Sequence, residues 1–188
     1  MDTKATLIAA ALTLIEEEGE AQFSTRAVCA AADVKAPTLY HHFGSADGLL
    51  SAAIAEAFAE FLRGKRTAVR SDDPVTALAE GWDNYVRFAA ARPRLYAAMM
   101  ARVMLGADIP AAREGQALLA QRIAAIAPAG RLAMPPAEAA RVAWASANAA
   151  AMLFVAAVLQ SAMGTGPPDE ATVLSLRDGA IRTICKAG

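Results

Sequence analysis

Residues 24–43 read STRAVCAAADVKAPTLYHHF. Ser24 is a good N-cap, because its hydroxyl can accept from an N–H of the turn that follows, and a short helix is expected from it to about Ala32. Lys35-Ala36-Pro37 opens a second helix, since proline lacks only an N–H that the first turn would leave unpaired anyway. That helix ends near Gly44. Val28, Ala32, Val34, Leu39 and Phe43 are the apolar contacts between the two. Ala32 is small where helices cross closely, Val34 plugs the corner, and Leu39 and Phe43, four residues apart, turn one side of the second helix inward. The pattern is a helix-turn-helix.

Burying Leu39 and Phe43 leaves Ala36, Pro37, Thr38, Tyr40 and His41 on the N-terminal and outward side of the second helix, where such a helix presents groups to a major groove. Thr38 can hydrogen-bond a base edge or a phosphate and offers a methyl to thymine; Ala36 and Pro37 offer compact apolar contact to thymine methyls. Tyr40 and His42 suit phosphate contacts that fix register, and His41 suits either task. Lys35 adds a mobile cation for the backbone. Thr25, at the start of the preceding helix, joins that helix's N–H groups in holding a phosphate. The candidate DNA-contacting set is therefore Thr25, Lys35, Ala36, Pro37, Thr38, Tyr40, His41 and His42, and the expected partner is a double-stranded operator.

Upstream, Leu7, Ala11 and Leu14 with Ile8, Leu12 and Ile15 recur at helical steps, so residues 3–18 form an amphipathic helix that Gly19 can end. Glu16, Glu17 and Glu18 stand at its C-terminal end, where negative charge is least favoured, and are expected to splay into solvent. Downstream, Ser45 caps a long helix with Leu50, Ile54, Ala57 and Phe61 on one stripe, ending at the basic RGKR of 63–66. Prolines and glycines then mark breaks near 72–74, 92–93, 106–110, 128–136 and 164–168, with helical segments between them. No strand-like alternation of any length occurs. The expected fold is all-α, with about nine helices. A helix-turn-helix three-helix DNA-binding domain occupies 1–47, and a second helical domain occupies 48–188, with a linking helix over about 45–63.

The 188 residues suffice for one or two domains and exclude a large multidomain enzyme. With 56% hydrophobic and 20% charged residues the chain is not disordered, and alanine, about a quarter of it, favours closely approaching helices. The net charge of −1 decides nothing about nucleic acid, but residues 1–50 hold three basic and seven acidic side chains, a balance of −4. Non-specific DNA affinity should be low and its salt dependence shallow. Cys29 and Cys185, far apart, give neither a disulfide scaffold nor a zinc cluster and fit a reducing cytosol. Adjacent helical residues point about 100° apart, so His41 and His42 do not readily share a metal. No phosphate loop, nucleophile elbow or metal-ligand motif occurs, so neither a metal, a cofactor nor an enzymatic activity is expected. The N-terminus lacks a basic region followed by an apolar core, and no secretory signal is read there. Residues 142–163 carry no charge over 22 residues, long enough to cross a bilayer. They are rich in alanine and interrupted by Ser146, Asn148, Gln160 and Ser161, so the preferred reading is a helix buried on nearly all sides, as at an oligomer interface, and not a membrane span. A cytoplasmic protein is expected.

The helix-turn-helix resembles that of the tetracycline-repressor (TetR) family of transcriptional regulators, whose signature runs into a tyrosine, a variable residue, a histidine and an aromatic. Tyr40-His41-His42-Phe43 matches it, and the likeness covers roughly residues 5–55, with Thr38-Leu39-Tyr40, Ser45 and Leu49-Leu50 in place. Three positions depart from the family pattern. Asp33 stands where a glycine usually makes the turn, Lys35 where a serine usually caps the recognition helix, and Ala46 where a phosphate-binding lysine is common. Asp adopts the left-handed conformation at modest cost, so the turn is expected to survive.

The resemblance implies that the remaining chain is the variable ligand-binding and dimerisation part of such a regulator. Residues 85–100, YVRFAAARPRLYAAMM, resemble a C-terminal domain of a subset of the family that usually also has a Trp followed by His-Gly; here Trp144 is followed by Asn148-Ala149. Leu78, Trp82, Tyr85 and Ala89 share one helical stripe, Leu95, Met99 and Val103 another, and Trp144, Asn148, Ala151 and Val155 a third. Together they either surround an apolar cavity or make a filled core. Trp82, Tyr85, Met99, Trp144 and Asn148 are the candidate contacts to a small-molecule effector. Helices at about 137–163 and 169–185 are expected to pair in a homodimer, whose two-fold axis sets two recognition helices about one DNA turn apart on a pseudo-palindromic operator. The function so read is a ligand-responsive DNA-binding transcriptional regulator, with repression the expected sign, released from its operator by a small apolar or amphipathic molecule. The alternative is a helical ligand-binding protein that no longer binds DNA.

Overall fold

The computed structural model describes residues 2–160 and 166–186. Among these lie nine α-helices: α1 (Thr3–Glu18), α2 (Thr25–Ala32), α3 (Ala36–Phe43), α4 (Ala46–Thr67), α5 (Pro74–Ala91), α6 (Pro93–Met104), α7 (Pro110–Ile126), α8 (Pro136–Leu159) and α9 (Glu170–Ile184). The one extended pairing among the described residues is an isolated bridge between Leu132 and Cys185. The all-α expectation therefore holds, and the punctuation behind it is visible. Four helices begin on a proline, the residue whose fixed φ and missing N–H suit a first helical position. Asp2 and Asp169 cap α1 and α9 by accepting from Lys4 N and Thr172 N at 3.0 and 2.7 Å. Residues 161–163, the expected end of the uncharged helix, lie outside the described residues; α8 ends at Leu159, with Gln160 as its C-cap.

Contacts group the chain into two compact units, Met1–Glu60 with Arg92–Ile109 and Phe61–Ala91 with Pro110–Gly188. This grouping does not follow chain order as the sequence-based boundary at residue 47 does. Helix α4 gives residues 46–60 to the first unit and 61–67 to the second, and α6 returns to the first.

In the first unit the apolar stripes meet in one core of Leu7 and Ala11 from α1, Val28 and Cys29 from α2, Leu39 from α3, and Leu49 and Ala53 from α4. Helix α6 packs on α1, with Leu95 and Met99 buried. Two arginines of this segment meet acids of the helices they join. Arg92 lies 2.5 Å from Glu16 and 2.7 Å from Glu60, and Arg102 lies 2.7 Å from Asp47. Glu16 is thus held in an ion pair instead of splaying into solvent.

In the second unit α5 packs on α8, and α7 and α9 pack against both. Leu78, Ile123, Ile126, Ala139, Ala143 and Ile184 form one buried cluster there. The buried side of α8 is almost wholly alanine, at 139, 143, 147, 150 and 151, and such small side chains let neighbouring helices approach closely. By length and composition alone α8 could cross a bilayer, yet only 28% of its most apolar window is buried within the chain.

Candidate nucleic-acid interface and effector cavity

Local capping sets the geometry of the helix-turn-helix. Ser24 Oγ accepts from Ala27 N at 3.2 Å and starts α2. Asp33 ends it with φ 52° and ψ 44°, the one non-glycine residue with positive φ among the described residues. The Val34 N–H then donates to Cys29 O at 3.0 Å, closing the turn. Lys35 is the N-cap of α3 with no side-chain hydrogen bond, so the departure from a capping serine leaves its ammonium uncommitted to the helix. Ser45 Oγ accepts from Gly48 N at 2.9 Å to begin α4. A Cβ at Gly48 would collide with the Phe43 carbonyl oxygen; its absence lets α4 start directly against the end of α3.

With Leu39 fully buried and Phe43 half-buried, α3 turns Ala36, Pro37, Tyr40, His41 and His42 outward, and Tyr40 is 47% exposed. Pro37, Tyr40 and His41 share one face, at the three- and four-residue spacing of a helix. Lys35 is exposed, and Thr38 and Thr25 are half-buried at the helix starts. The His41 and His42 rings sit edge to face with centroids 5.4 Å apart. All eight sequence-derived positions thus fall on α2, the turn or α3, with six of them open to solvent. Two cations join them that the sequence reading did not single out. Arg26 is exposed on α2, and the Lys4 ammonium lies 5.9 Å from the Phe43 ring centroid. Nothing local in the sequence ties residue 4 to residue 43; the packing of α1 on α3 does. Asp47, just beyond α3, has its charge met by Arg102, which offsets part of the acidic balance.

Residues 7–53 match the family described as bacterial regulatory proteins, tetR family. Over those residues the chain is similar to the N-terminal module of that family. No curated protein sequence matches the chain. Solved structures share its whole fold. A protein of unknown function from Rhodococcus sp. RHA1 is 22% identical with TM-score 0.82, the alignment covering 99% of this chain and 97% of that one. The fatty acid degradation regulator FadR from Bacillus halodurans is 18% identical with TM-score 0.75, covering 96% and 95%. A putative TetR-family transcriptional regulator from Vibrio parahaemolyticus is 18% identical with TM-score 0.67, covering 99% and 100%. The family match covers the helix-turn-helix end of the chain, and the structural likeness extends to the whole fold.

In the second unit a cavity of about 30 Å³ lies among α4, α5, α7 and α8, room for a water or so and not for a drug-sized molecule. Trp82, Tyr85 and Trp144 line it, as do Lys65 and Arg122. Trp82 Nε1 donates to Ser146 Oγ at 2.9 Å, and that hydroxyl donates to Ala143 O at 3.0 Å, fixing the indole. Tyr85 packs edge to face on Phe61, with centroids 5.3 Å apart. Three of the five candidate effector residues are therefore together. Asn148, half-buried one turn beyond Trp144, is not among the lining residues. Met99 is 1% exposed in the first unit; its stripe with Leu95 faces α1 because α6 returns there, so it is no wall of this cavity. A more open recess of about 470 Å³ borders α5, α8 and α9, where Arg177 is already paired with Asp83 at 3.0 Å.

The charged residues at the cavity escaped the sequence reading, which used the basic RGKR only to mark the end of the long helix. Lys65 is 7% exposed and donates to Gly115 O at 2.5 Å, while Arg122 Nη2 donates to Lys65 O at 2.6 Å. A Cβ at Gly81 would collide with the Arg122 guanidinium, so that glycine makes the room Arg122 occupies. Burial pushes the Lys65 ammonium down to about 8, and the like charge of Arg122 adds to the effect. Arg122 is itself lowered by burial, with Glu80 opposing.

Proposed function

We propose that the chain is a homodimeric transcriptional repressor of the cytoplasm that leaves a pseudo-palindromic operator when a small amphipathic molecule binds its C-terminal helices. The observation that carries this reading is the outward face of α3: Ala36, Pro37, Tyr40 and His41 stand open while Leu39 pins the helix from behind. Thr38 and the two small residues read bases, Tyr40, His42, Lys35 and Thr25 hold phosphates, and His41 serves either task. Residues 1–47 act as the operator-binding part and 48–188 as the effector and pairing part.

Helix α4 supports the coupling, because it is one unbroken helix from Ala46, next to the recognition helix, to Thr67, beyond the cavity residue Lys65. An effector that prefers one placement of residues 61–67 biases the placement of residue 46 by its difference in binding free energy between the two states. Repression is the sign that asks least of the protein, since a dimer seated on DNA blocks other proteins without contacting them. Binding of DNA fragments flanking the protein's own reading frame tests the reading. A salt-sensitive gel shift is expected, weakened by Tyr40→Phe and by Thr38→Ala with the dimer intact; unchanged affinity in both removes these residues from the interface. No shift with any fragment at low salt would instead favour the helical ligand-binding protein that does not engage DNA.

A further inference from the structure

We infer that the effector is a monoanionic organic acid with an aromatic or short alkyl body, its carboxylate seated on Lys65 and Arg122 and its body against Trp82 and Trp144. This rests on the reading of the second unit as the effector-binding part and adds the chemical class.

Lys65 is the one charged side chain among the described residues that is more than nine-tenths buried. It has no carboxylate partner there; Gly115 O meets one of its three N–H donors. Arg122 brings a second positive charge to the same cavity wall. Glu80 acts electrostatically on Arg122, but it and Glu114 both hold other hydrogen-bond partners. Glu114 pairs with Arg66, and Glu80 accepts from the backbone N–H of Arg70 and Ser71 at 2.8 and 3.1 Å. A buried Lys65 beside the like charge of half-buried Arg122 costs stability unless an anion joins them. A role as a helix tie between α4 and α7 does not need a cation, because a neutral donor would make the same bond to Gly115 O.

The rest of the lining excludes inorganic phosphate as the natural occupant. Trp82, Tyr85, Trp144 and Leu78 present apolar surface, which suits one charged head on a hydrophobic body. Arg122 offers the planar fork that matches a carboxylate, and Lys65 a point charge beside it. The present 30 Å³ means that the acid enters by displacing walls. Trp144 and Leu119, both half-buried, are the sides that yield.

The chain's two tryptophans, Trp82 and Trp144, both line this cavity, so their emission reports on it; Trp82 also borders the recess of α5, α8 and α9, and the Lys65→Met variant tells the two places apart. The experiment titrates the full-length protein at pH 7 with 4-phenylbutyrate and with its neutral isostere, 4-phenylbutyramide. The acid is expected to shift tryptophan emission saturably and to bind at least about tenfold tighter than the amide. Lys65→Met should reduce the acid to the amide's affinity and leave the amide unchanged. Equal affinities in the wild-type protein, no response to either compound up to millimolar concentration, or acid binding untouched by Lys65→Met would each overturn the inference. The wild-type comparison needs no variant to fold. Operator binding is followed separately. Acid bound at Lys65 with operator affinity unaltered sustains the site and sinks the regulatory coupling, whereas DNA release by a neutral compound with no acid binding sustains the coupling and sinks the site.

Discussion

Asp33 shows how a single backbone angle decides the helix-turn-helix. Its φ of 52° lies in the left-handed region, which costs an L-residue roughly 1–2 kcal/mol and costs aspartate and asparagine less. Asp33→Gly should therefore leave urea-unfolding stability level or slightly raised, Asp33→Ala should lower it by about 1 kcal/mol, and Asp33→Val by more, since β-branching crowds that conformation further. Equal midpoints for all three would mean the turn is not under this constraint. Lys65 is a residue whose cost depends on pH. Its ammonium titrates near 8 when folded against 10.5 when unfolded. Between these values the unfolded chain binds a proton that the folded chain lacks, so stability rises with pH across that window, by a total on the order of 3 kcal/mol. Below about pH 8 that increment is absent. Denaturant titrations at pH 7, 8, 9 and 10 should show the rise, and Lys65→Met should flatten it while making the protein more stable at pH 7. A flat profile in the wild-type chain would show that Lys65 is not buried as a cation.

At the scale of elements, α6 is the piece that changes the electrostatics of its unit. It follows α5 in sequence yet packs on α1, and Arg102 meets Asp47 in the first turn of α4, beside the helix proposed to enter the groove. Asp47 is 72% exposed, so the pair contributes little to stability, at most about 1 kcal/mol. Its effect should appear in DNA binding. Arg102→Ala leaves Asp47 facing phosphate uncompensated, and operator affinity should fall about three- to tenfold at low salt, with the loss fading as salt screens it. Arg102→Ala/Asp47→Asn should restore affinity; if the double variant binds as poorly as the single one, Asp47 does not face the DNA. The same elements mark what was legible in the sequence. Helices α1 to α4 were, because Ser24, Pro37 and Ser45 act on N–H groups within three residues and Leu39 and Phe43 write the buried face directly. The return of α6 and the cover of α7 over Lys65 were not. Arg102 lies 55 residues from Asp47 and Lys65 lies 50 from Gly115, and periodicity shows that a face is buried without showing which helix buries it. Met99 was misplaced for that reason, and Lys65 was not singled out because nothing near it in sequence marks its burial.

For the molecule as a whole, the unsettled surface is the outer side of α8. Its alanine side is consumed by the second unit, while Met152, Leu153 and Leu159 remain 41%, 39% and 64% exposed. Ala149 stands open one turn before Leu153. A patch of this kind at helical spacing calls for a partner. A bilayer would have to strip α8 from α5, α7 and α9, which pack on it. A second copy needs no such rearrangement and makes the contact self-complementary about a two-fold axis. It would also place two recognition helices on one DNA, so that the second half-site binds at a high effective concentration. Leu153→Glu combined with Met152→Glu puts two carboxylates at that contact in each copy without touching the buried alanines. Sedimentation should then give a monomer with unchanged helical circular dichroism, and operator affinity should fall about a hundredfold or more. Tryptophan emission from the Trp82 and Trp144 cavity should stay as it was. A dimer that survives both substitutions would move the interface off α8, and a monomer that keeps full operator affinity would separate DNA binding from pairing altogether.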